Sequence, residues 1–124
     1  MRFRTDNAML NAQHRKLLAL CQRASRLHED SSSGYAEKFH IILNDLATYA
    51  REAFEAEENL LRQKRPALLD QHLAEHISYE SQLTDLLISA SNGEFDHDKL
   101  LHFLTTWWSS HVLQSDRHVM DSLE

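Results

Sequence analysis

The sequence predicts an all-α fold, an antiparallel up-down-up-down four-helix bundle, from three observations. Glycine occurs twice and proline once in 124 residues, and so few breakers leave little room for sheets and tight turns. Apolar residues recur at spacings of three, four and seven in four long stretches, as they do in amphipathic helices. Short polar turns separate these stretches, and helices joined by short loops pack antiparallel to their neighbours. A chain of this length is expected to form one domain, residues 1–124, around one hydrophobic core.

The first half of the chain contains two helices of the predicted bundle. The first covers about residues 7–29, and its pattern is set by Leu10, His14, Leu17, Leu18, Cys21 and Leu27. The serine-rich segment "HEDSSSGY" forms the following turn, and Ser33 is placed to cap the next helix. The second helix covers about residues 35–64, with an apolar face that comprises Phe39, Ile42, Leu46, Tyr49, Ala53, Phe54 and Leu60.

The second half contains the other two helices. The third covers about residues 66–91 and begins with Pro66, a residue that suits the first turn of a helix. The segment "SNGEFD" forms a turn in which Asp96 is placed as an N-cap. The fourth helix covers about residues 97–122, and its inner face is expected to carry Leu100, Leu104, Trp107, Trp108, His111 and Val112.

Composition and charge argue against several classes of function. The formal net charge is −6 with neutral histidines, so no nucleic-acid partner is expected, because such partners need a basic surface. No apolar run approaches the roughly 20 residues that span a bilayer, so no membrane partner is expected. Cys21 is the only cysteine, which excludes an internal disulfide and favours a reducing compartment, the cytoplasm. No nucleophile–base set or phosphate-binding loop is visible, which argues against a hydrolase or a nucleotide enzyme.

Polar residues on the predicted inner faces are the most informative part of the sequence. His72 and His76 lie one helical turn apart in "HLAEH", a spacing that offers two imidazoles to one metal ion or leaves a pair of partly exposed histidines. His111 and Asp116 are five residues apart, so in an ideal helix their side chains point in directions about 140° apart. Both face the core only if the helix widens locally, as a π-bulge does.

The other two helices each place one polar residue on an inner face. His14 lies among leucines, where an isolated histidine is more often a core residue than a metal ligand, and Glu57 lies at i+4 from Ala53. A buried carboxylate without a partner is unfavourable, so Glu57 fits poorly in a core that holds no metal. Together the four helices offer imidazole and carboxylate groups that suit iron, manganese or zinc. Two carboxylates of this kind can also hold two metal ions close together.

Four motifs in this order resemble those of the hemerythrin family, and within it the single-domain bacteriohemerythrins. They are "LNAQHRKLL" (10–18), "YAREAFEAEE" (49–58), "HLAEH" (72–76) and "WWSSHVLQSD" (107–116). The resemblance covers nearly the whole chain and implies a non-haem di-iron centre that binds O₂ reversibly. The implied metal ligands are His14, Glu57, His72, His76, His111 and Asp116. By the same resemblance, the three later histidines would hold one iron, the first would hold the other, and the two carboxylates would bridge them.

The sequence departs from the family pattern at Ala53. In the family a histidine precedes the phenylalanine of the second motif, and a methyl group cannot coordinate a metal. Three arrangements are possible. In the first, water or another exogenous ligand completes the second iron site. In the second, Tyr49, one turn earlier, does so; Glu52 and His118 are less well aimed. The third possibility is a single metal ion at the three-histidine side.

Three functions remain open at this point. The leading hypothesis is a cytoplasmic, non-haem iron protein that binds O₂ or a related diatomic molecule for carriage, storage or sensing. An under-ligated iron also suits an enzyme that acts on peroxide, NO or O₂, since open positions characterise catalytic metal sites. The third hypothesis is a bundle with one metal ion, or a structural metal, that no longer binds O₂. Whether the chain is an enzyme stays open, with a binding protein favoured.

Overall fold

The computed structural model describes residues 2–27 and 34–123, with side chains from residue 8 onward in the first helix. The predicted all-α fold is confirmed, because every regular element in these residues is helical. The elements are α1 (Arg2–Leu27), α2 (Tyr35–Lys64), a 3₁₀ turn (Pro66–Leu68), α3 (Leu69–Ser91), α4 (His97–Trp107), a π-helical segment (Trp108–Asp116) and α5 (Arg117–Leu123). The last three follow one another without a break and form the fourth helix of the bundle.

Local chemistry sets most of the helix ends. Asp96 caps α4, because its carboxylate accepts a hydrogen bond from the backbone N–H of Lys99 at 3.0 Å, as its position in the sequence predicts. Pro66 forms a 3₁₀ turn before α3 rather than its first α-helical turn. Gly34 precedes α2 with a φ of 104°, a conformation that glycine adopts most easily. The predicted cap Ser33 and the predicted end of the first helix near residue 29 lie outside the described residues.

The bundle has α2 packed against both α1 and α3, while α1 also contacts α4 and α5. Its buried apolar side chains fall into two clusters. The large cluster includes Leu17, Phe39, Leu43, Leu46, Phe54, Tyr79, Leu100, Trp107 and Val112. The small cluster at the other end comprises Leu10, Leu60, Leu61, Val119 and Leu123. Leu18, expected on the inner face, is 43% exposed, and Leu20 and Ala24 are buried on that helix instead.

The predicted inner polar residues occupy the layer between the two apolar clusters. On α1, His14 lies between Leu10 of the small cluster and Leu17 of the large one. On each of the other helices, the polar residues likewise lie between apolar residues that belong to, or pack against, the two clusters. The polar layer therefore crosses the whole bundle. Within the described residues, no helix is both long enough and apolar enough to cross a membrane.

Candidate metal centre

Five polar side chains of the middle layer are almost completely buried, with exposed fractions of 3% or less: Glu57, His72, His76, His111 and Asp116. The sixth predicted residue, His14, keeps 15% of its side chain exposed. The structure brings all six together, although they come from four different parts of the chain. Donor atoms of four of them, on α2, α3 and the π-helical segment, lie within 4.8 Å of one another.

Asp116 links the histidines of three helices. Its Oδ1 lies 3.0 Å from Nε2 of His72 and 3.1 Å from Nε2 of His111. Its Oδ2 lies 2.9 Å from Nε2 of His14. The two oxygens of this carboxylate therefore have different partners: Oδ1 contacts His72 and His111, and Oδ2 contacts His14.

Glu57 has one oxygen in contact with the same histidines and one without a partner. Its Oε1 lies 3.2 Å from Nε2 of His76 and 3.3 Å from Nε2 of His111. Its Oε2 is buried and makes no hydrogen bond with the described residues. A buried carboxylate oxygen in this state is unfavourable unless a cation or another donor approaches it.

The π-helical segment allows His111 and Asp116 to face the same point. It covers Trp108–Asp116, so the chain turns by less per residue there than in an α-helix. Both side chains are consequently buried and only 3.1 Å apart at Nε2 and Oδ1. The local widening that the five-residue spacing predicts is confirmed.

Two further carboxylates hold the outer nitrogens of the histidine rings. Oε2 of Glu58 lies 2.9 Å from Nδ1 of His76, and Oε1 of Glu75 lies 2.6 Å from Nδ1 of His111. Because an ionised carboxylate only accepts hydrogen bonds, each Nδ1 carries the hydrogen. Ser115 Oγ donates to the second oxygen of Glu75 at 2.8 Å. This arrangement turns both Nε2 atoms toward the interior and is typical of histidines that bind metal ions.

Aromatic rings enclose the histidines on the side of the large cluster. Phe54 stacks on His76 with ring centroids 3.8 Å apart, and Trp107 stacks on His111 at 4.0 Å. Trp107 is buried, as expected from its place on the predicted inner face, whereas Trp108, expected on the same face, is only partly buried. These rings fix the imidazole planes and exclude water from that side of the layer.

The carboxylates shift the protonation of the cluster. Burial opposes protonation of His111, but hydrogen bonds to Asp116, Glu57 and Glu75 outweigh it and raise the pKa of this histidine to about 11. Burial also acts against ionisation of Asp116, but hydrogen bonds from three histidines hold its pKa well below the usual value. Without a metal ion, the proton on His111 supplies positive charge that the two buried carboxylates require.

Comparison with known proteins agrees with this geometry. The family profile described as "Hemerythrin HHE cation binding domain" matches residues 5–123. The chain belongs to the hemerythrin family. The bacteriohemerythrin of Clostridium acetobutylicum is 28% identical over 119 residues, which are 90% of this chain and 89% of that protein. No solved structure matches the chain with statistical significance.

The hemerythrin-like cluster fits a metal ion by its own chemistry. Imidazole nitrogens and carboxylate oxygens form a donor set that suits iron, manganese or zinc. Glu57 and Asp116 are buried carboxylates, and Oε2 of Glu57 has no hydrogen-bond partner, so a cation in this layer would stabilise both groups. Family membership and this buried cluster together identify a hemerythrin-like metal-binding protein.

The hemerythrin-like layer contains no polar side chain at position 53. Ala53 is buried on α2, one turn before Glu57, and its methyl group offers no ligand atom. Of the possible substitutes considered from the sequence, Glu52 and His118 are exposed to solvent, whereas Tyr49 is buried. Burial raises the pKa of the Tyr49 hydroxyl well above its ordinary value, against the opposing effect of a hydrogen bond with the Trp107 side chain.

Sequence patterns did not reveal the outer carboxylates of this hemerythrin-like site. Glu58 directly follows the predicted ligand Glu57; its side chain is 25% exposed and reaches His76. Glu75 lies inside the motif "HLAEH", but the pattern of α3 alone does not show that it faces His111 on another helix. The available signal was a glutamate directly beside Glu57 on α2 and another directly beside His76 on α3.

Proposed function

We propose that this hemerythrin-like chain binds non-haem iron between its four helices and binds O₂ or a related diatomic molecule there, for carriage, storage or sensing. The observation that carries the proposal is the meeting of four imidazoles and two carboxylates in one buried layer. The family supports iron as the metal, since hemerythrins bind non-haem iron. The chain from residue 1 to 124 would act as a single domain of this kind.

The proposed ligands divide into two groups around the carboxylates. His72, His76 and His111 would hold one ion, because their Nε2 atoms approach Oε1 of Glu57 or Oδ1 of Asp116. His14 would hold a second ion near Oδ2 of Asp116. The unpaired Oε2 of Glu57 supports a second cation as well. We expect the second ion to bind more weakly, because it has a single imidazole.

The residues of the chain orient the ligands and protect the site. Glu58 and Glu75 accept the Nδ1–H hydrogens and keep the Nε2 lone pairs directed inward. Phe54 and Trp107 cover the three-histidine side with apolar surface. Bound ferrous iron would supply the electrons that O₂ binding requires.

Iron content and O₂ response test this function. The chain should be produced with iron, purified anaerobically, analysed for iron per chain, and then exposed to O₂ while its absorption spectrum is recorded. We expect between one and two iron ions and an absorption band that develops with O₂ and disappears when O₂ is removed. Absence of iron would refute the metal function, and iron without a reversible O₂ band would refute O₂ binding alone.

A matched pair of variants tests the ligands. His111→Ala should lower the iron content to less than half, because it removes an Nε2 donor close to both carboxylates. His102→Ala changes an exposed histidine on the same helix and should leave the iron content unchanged. Equal iron contents in the two variants would contradict the ligand assignment.

A second candidate function is favoured by a cleft next to His14. The cleft has a volume of about 390 Å³ and is lined by His14, Trp108, Val112 and Arg117, among others. Peroxide, NO or O₂ reaching an under-ligated iron through this cleft would be turned over rather than stored. Catalytic turnover of any of the three under reducing conditions would support an enzyme, whereas stoichiometric binding without turnover would remove this candidate. A count of one ion without O₂ response would instead support a structural metal.

The cytoplasm is the proposed location. The single cysteine, Cys21, fits a reducing compartment, and no helix in the described residues is suited to span a membrane. Fractionation of cells that produce the natural chain tests the location, and recovery from the membrane or from outside the cell would contradict it.

A further inference from the structure

The three histidines proposed to hold one ion differ in how their outer nitrogens are held. Nδ1 of His76 lies 2.9 Å from a carboxylate oxygen of Glu58. Nδ1 of His111 lies 2.6 Å from a carboxylate oxygen of Glu75. Nδ1 of His72 is buried and makes no hydrogen bond with the described residues. Two of these rings are therefore fixed from outside the cluster, and the third is not.

Stacked aromatic rings separate the three histidines in the same way. The imidazole of His76 is parallel to the Phe54 ring, with centroids 3.8 Å apart. The imidazole of His111 lies 4.0 Å from the Trp107 ring, at an angle of 15°. His72 has no stacked partner in the ranges that the structure describes, and its ring meets His76 and His111 edge-on at 5.7 and 5.0 Å. Its imidazole plane is thus the least constrained of the three.

His72 also lies near the beginning of its helix. α3 begins at Leu69, so His72 closes the first turn, and His76 lies one full turn further along. Leu68 and Leu69, which lead into this turn, are only partly buried. Helix ends open with a lower free energy than helix interiors, and the partial positive charge at a helix N-terminus opposes a cation there. The backbone that carries His72 is therefore easier to displace than the backbone of His76.

The inner nitrogen of His72 makes a contact that the cluster can lose. Its Nε2 lies 3.0 Å from Oδ1 of Asp116, and the same oxygen lies 3.1 Å from Nε2 of His111. Asp116 therefore keeps a histidine partner when His72 moves away. Binding of an ion at Nε2 also requires the hydrogen on Nδ1, where His72 has no acceptor for it among the described residues. A buried donor without an acceptor is unfavourable, so coordination costs His72 more than it costs His76 or His111.

We propose that His72 is the exchangeable ligand of the ion at the three-histidine group: its imidazole leaves the ion while those of His76 and His111 stay bound. Its departure opens a coordination position in a part of the site that is otherwise filled by protein donors. Glu57 and Asp116 still balance the charge of the ion, because both also contact His111. The inference rests on the proposed metal function, since exchange requires a bound ion.

The zinc affinity of single variants tests this ranking of the ligands. Zn²⁺ is the probe, and competition with a chelator measures its affinity for the full chain. An outer partner of a metal-binding histidine contributes about 10- to 100-fold to metal affinity. His76→Ala and His111→Ala should therefore weaken zinc binding about 10- to 100-fold more than His72→Ala. His102→Ala changes an exposed histidine and should have no effect. A loss for His72→Ala as large as that for His76→Ala would overturn the proposal.

Side-chain NMR of the natural chain tests the exchange directly and does not depend on the folding of a variant. In zinc-loaded protein with isotopically labelled histidine, relaxation dispersion detects exchange on the microsecond to millisecond timescale. We expect dispersion at the ring nitrogens of His72 and none at those of His76 or His111. Equal dispersion at all three rings, or none at His72, would overturn the proposal. So would an Nδ1–H signal of His72 shifted downfield by a strong hydrogen bond, because the ring would then have an outer acceptor.

Zinc content separates failure of this inference from failure of the metal function. Equilibrium dialysis of the natural chain gives the number of zinc ions per chain. If the chain retains zinc but the three histidine variants lose the same affinity, His72 is an ordinary ligand and this inference alone fails. If the chain retains no zinc, the metal function is refuted and the exchangeable ligand with it.

Discussion

Replacing Glu75 by glutamine should weaken metal binding although this residue is not a proposed ligand. Oε1 of Glu75 accepts a hydrogen bond from Nδ1 of His111 at 2.6 Å. The imidazole ring of His111 therefore lies between Glu75 and the buried carboxylates of Glu57 and Asp116. The negative charge of Glu75 makes the Nε2 lone pair of His111 more basic, and therefore a better donor to a cation. Glu75→Gln removes that charge and nearly preserves the shape of the side chain.

The size of the effect follows from the type of hydrogen bond. A hydrogen bond to a charged group contributes about 1.5–3 kcal/mol and one between neutral groups about 0.5–1.5 kcal/mol. The difference is about 1–1.5 kcal/mol, and about 1.4 kcal/mol corresponds to a tenfold change in affinity. The side chain of Glu75 is 25% exposed, so solvent reduces the effect somewhat and we expect a loss of about five- to tenfold.

The assay is competition for Zn²⁺ against a chelator of known affinity. Glu80→Gln provides the matched control, because Glu80 is an exposed carboxylate on the same helix. It makes the same change in net charge without a contact to a proposed ligand. If both variants bind zinc equally well, the charge on Glu75 does not act through His111 and the reasoning is refuted.

Three further predictions concern stability. Removing metal with a chelator should lower the melting temperature, because Glu57 and Asp116 lose their cation; an ion at 1,000 times its Kd stabilises by about 4 kcal/mol, and calorimetry that shows no shift would contradict this. In the metal-free protein, His111 binds a proton up to a pKa of about 11, whereas the unfolded chain releases it near 6.5. Its contribution to the free energy of unfolding should thus be complete below pH 6.5 and decline by up to about 1.4 kcal/mol per pH unit above it, which urea unfolding at pH 6 and pH 9 can check. Asp96→Ala should lower the free energy of unfolding by about 1 kcal/mol, whereas Asp85→Ala at an exposed position should change it by less than about 0.5 kcal/mol.

The sequence was sufficient for the architecture because the helical pattern repeats over many residues. The apolar spacing in α2 gave its bounds, and Asp96 gave the start of α4, since a cap acts within one helical turn. Pro66 shows where such local reasoning fails: proline tolerates both an α-helical and a 3₁₀ first turn, and only the packing around it decides between them.

The candidate site was accessible from the sequence only in its innermost part. Periodicity shows that Glu57 or His14 faces inward, and an inward polar residue attracts notice because it conflicts with a core. Glu58 and Glu75 lie at the margin of their helices, where a carboxylate is as common at the surface as in a polar network. Their partners are on other helices, so three-dimensional distances were needed to find them.

A cavity of about 220 Å³ between α1 and α2, beside Ala53, also depended on the coordinates. The sequence shows an alanine where the family has a histidine, but it does not show whether neighbours move in to fill the space. Gln13 and Tyr49 line the cavity without closing it.

The π-helical segment of the fourth helix determines which residues after Asp116 face the interior of the bundle. An extra residue in that turn offsets everything downstream by about 100°, so Val119 and Leu123 reach the small apolar cluster only because the offset exists. Deleting a single residue between His111 and Asp116 would let the helix relax to an ordinary pitch. That one deletion would withdraw a carboxylate from the interior and rotate the final apolar residues into solvent, so natural variants are expected to keep this five-residue interval even where the residues inside it change.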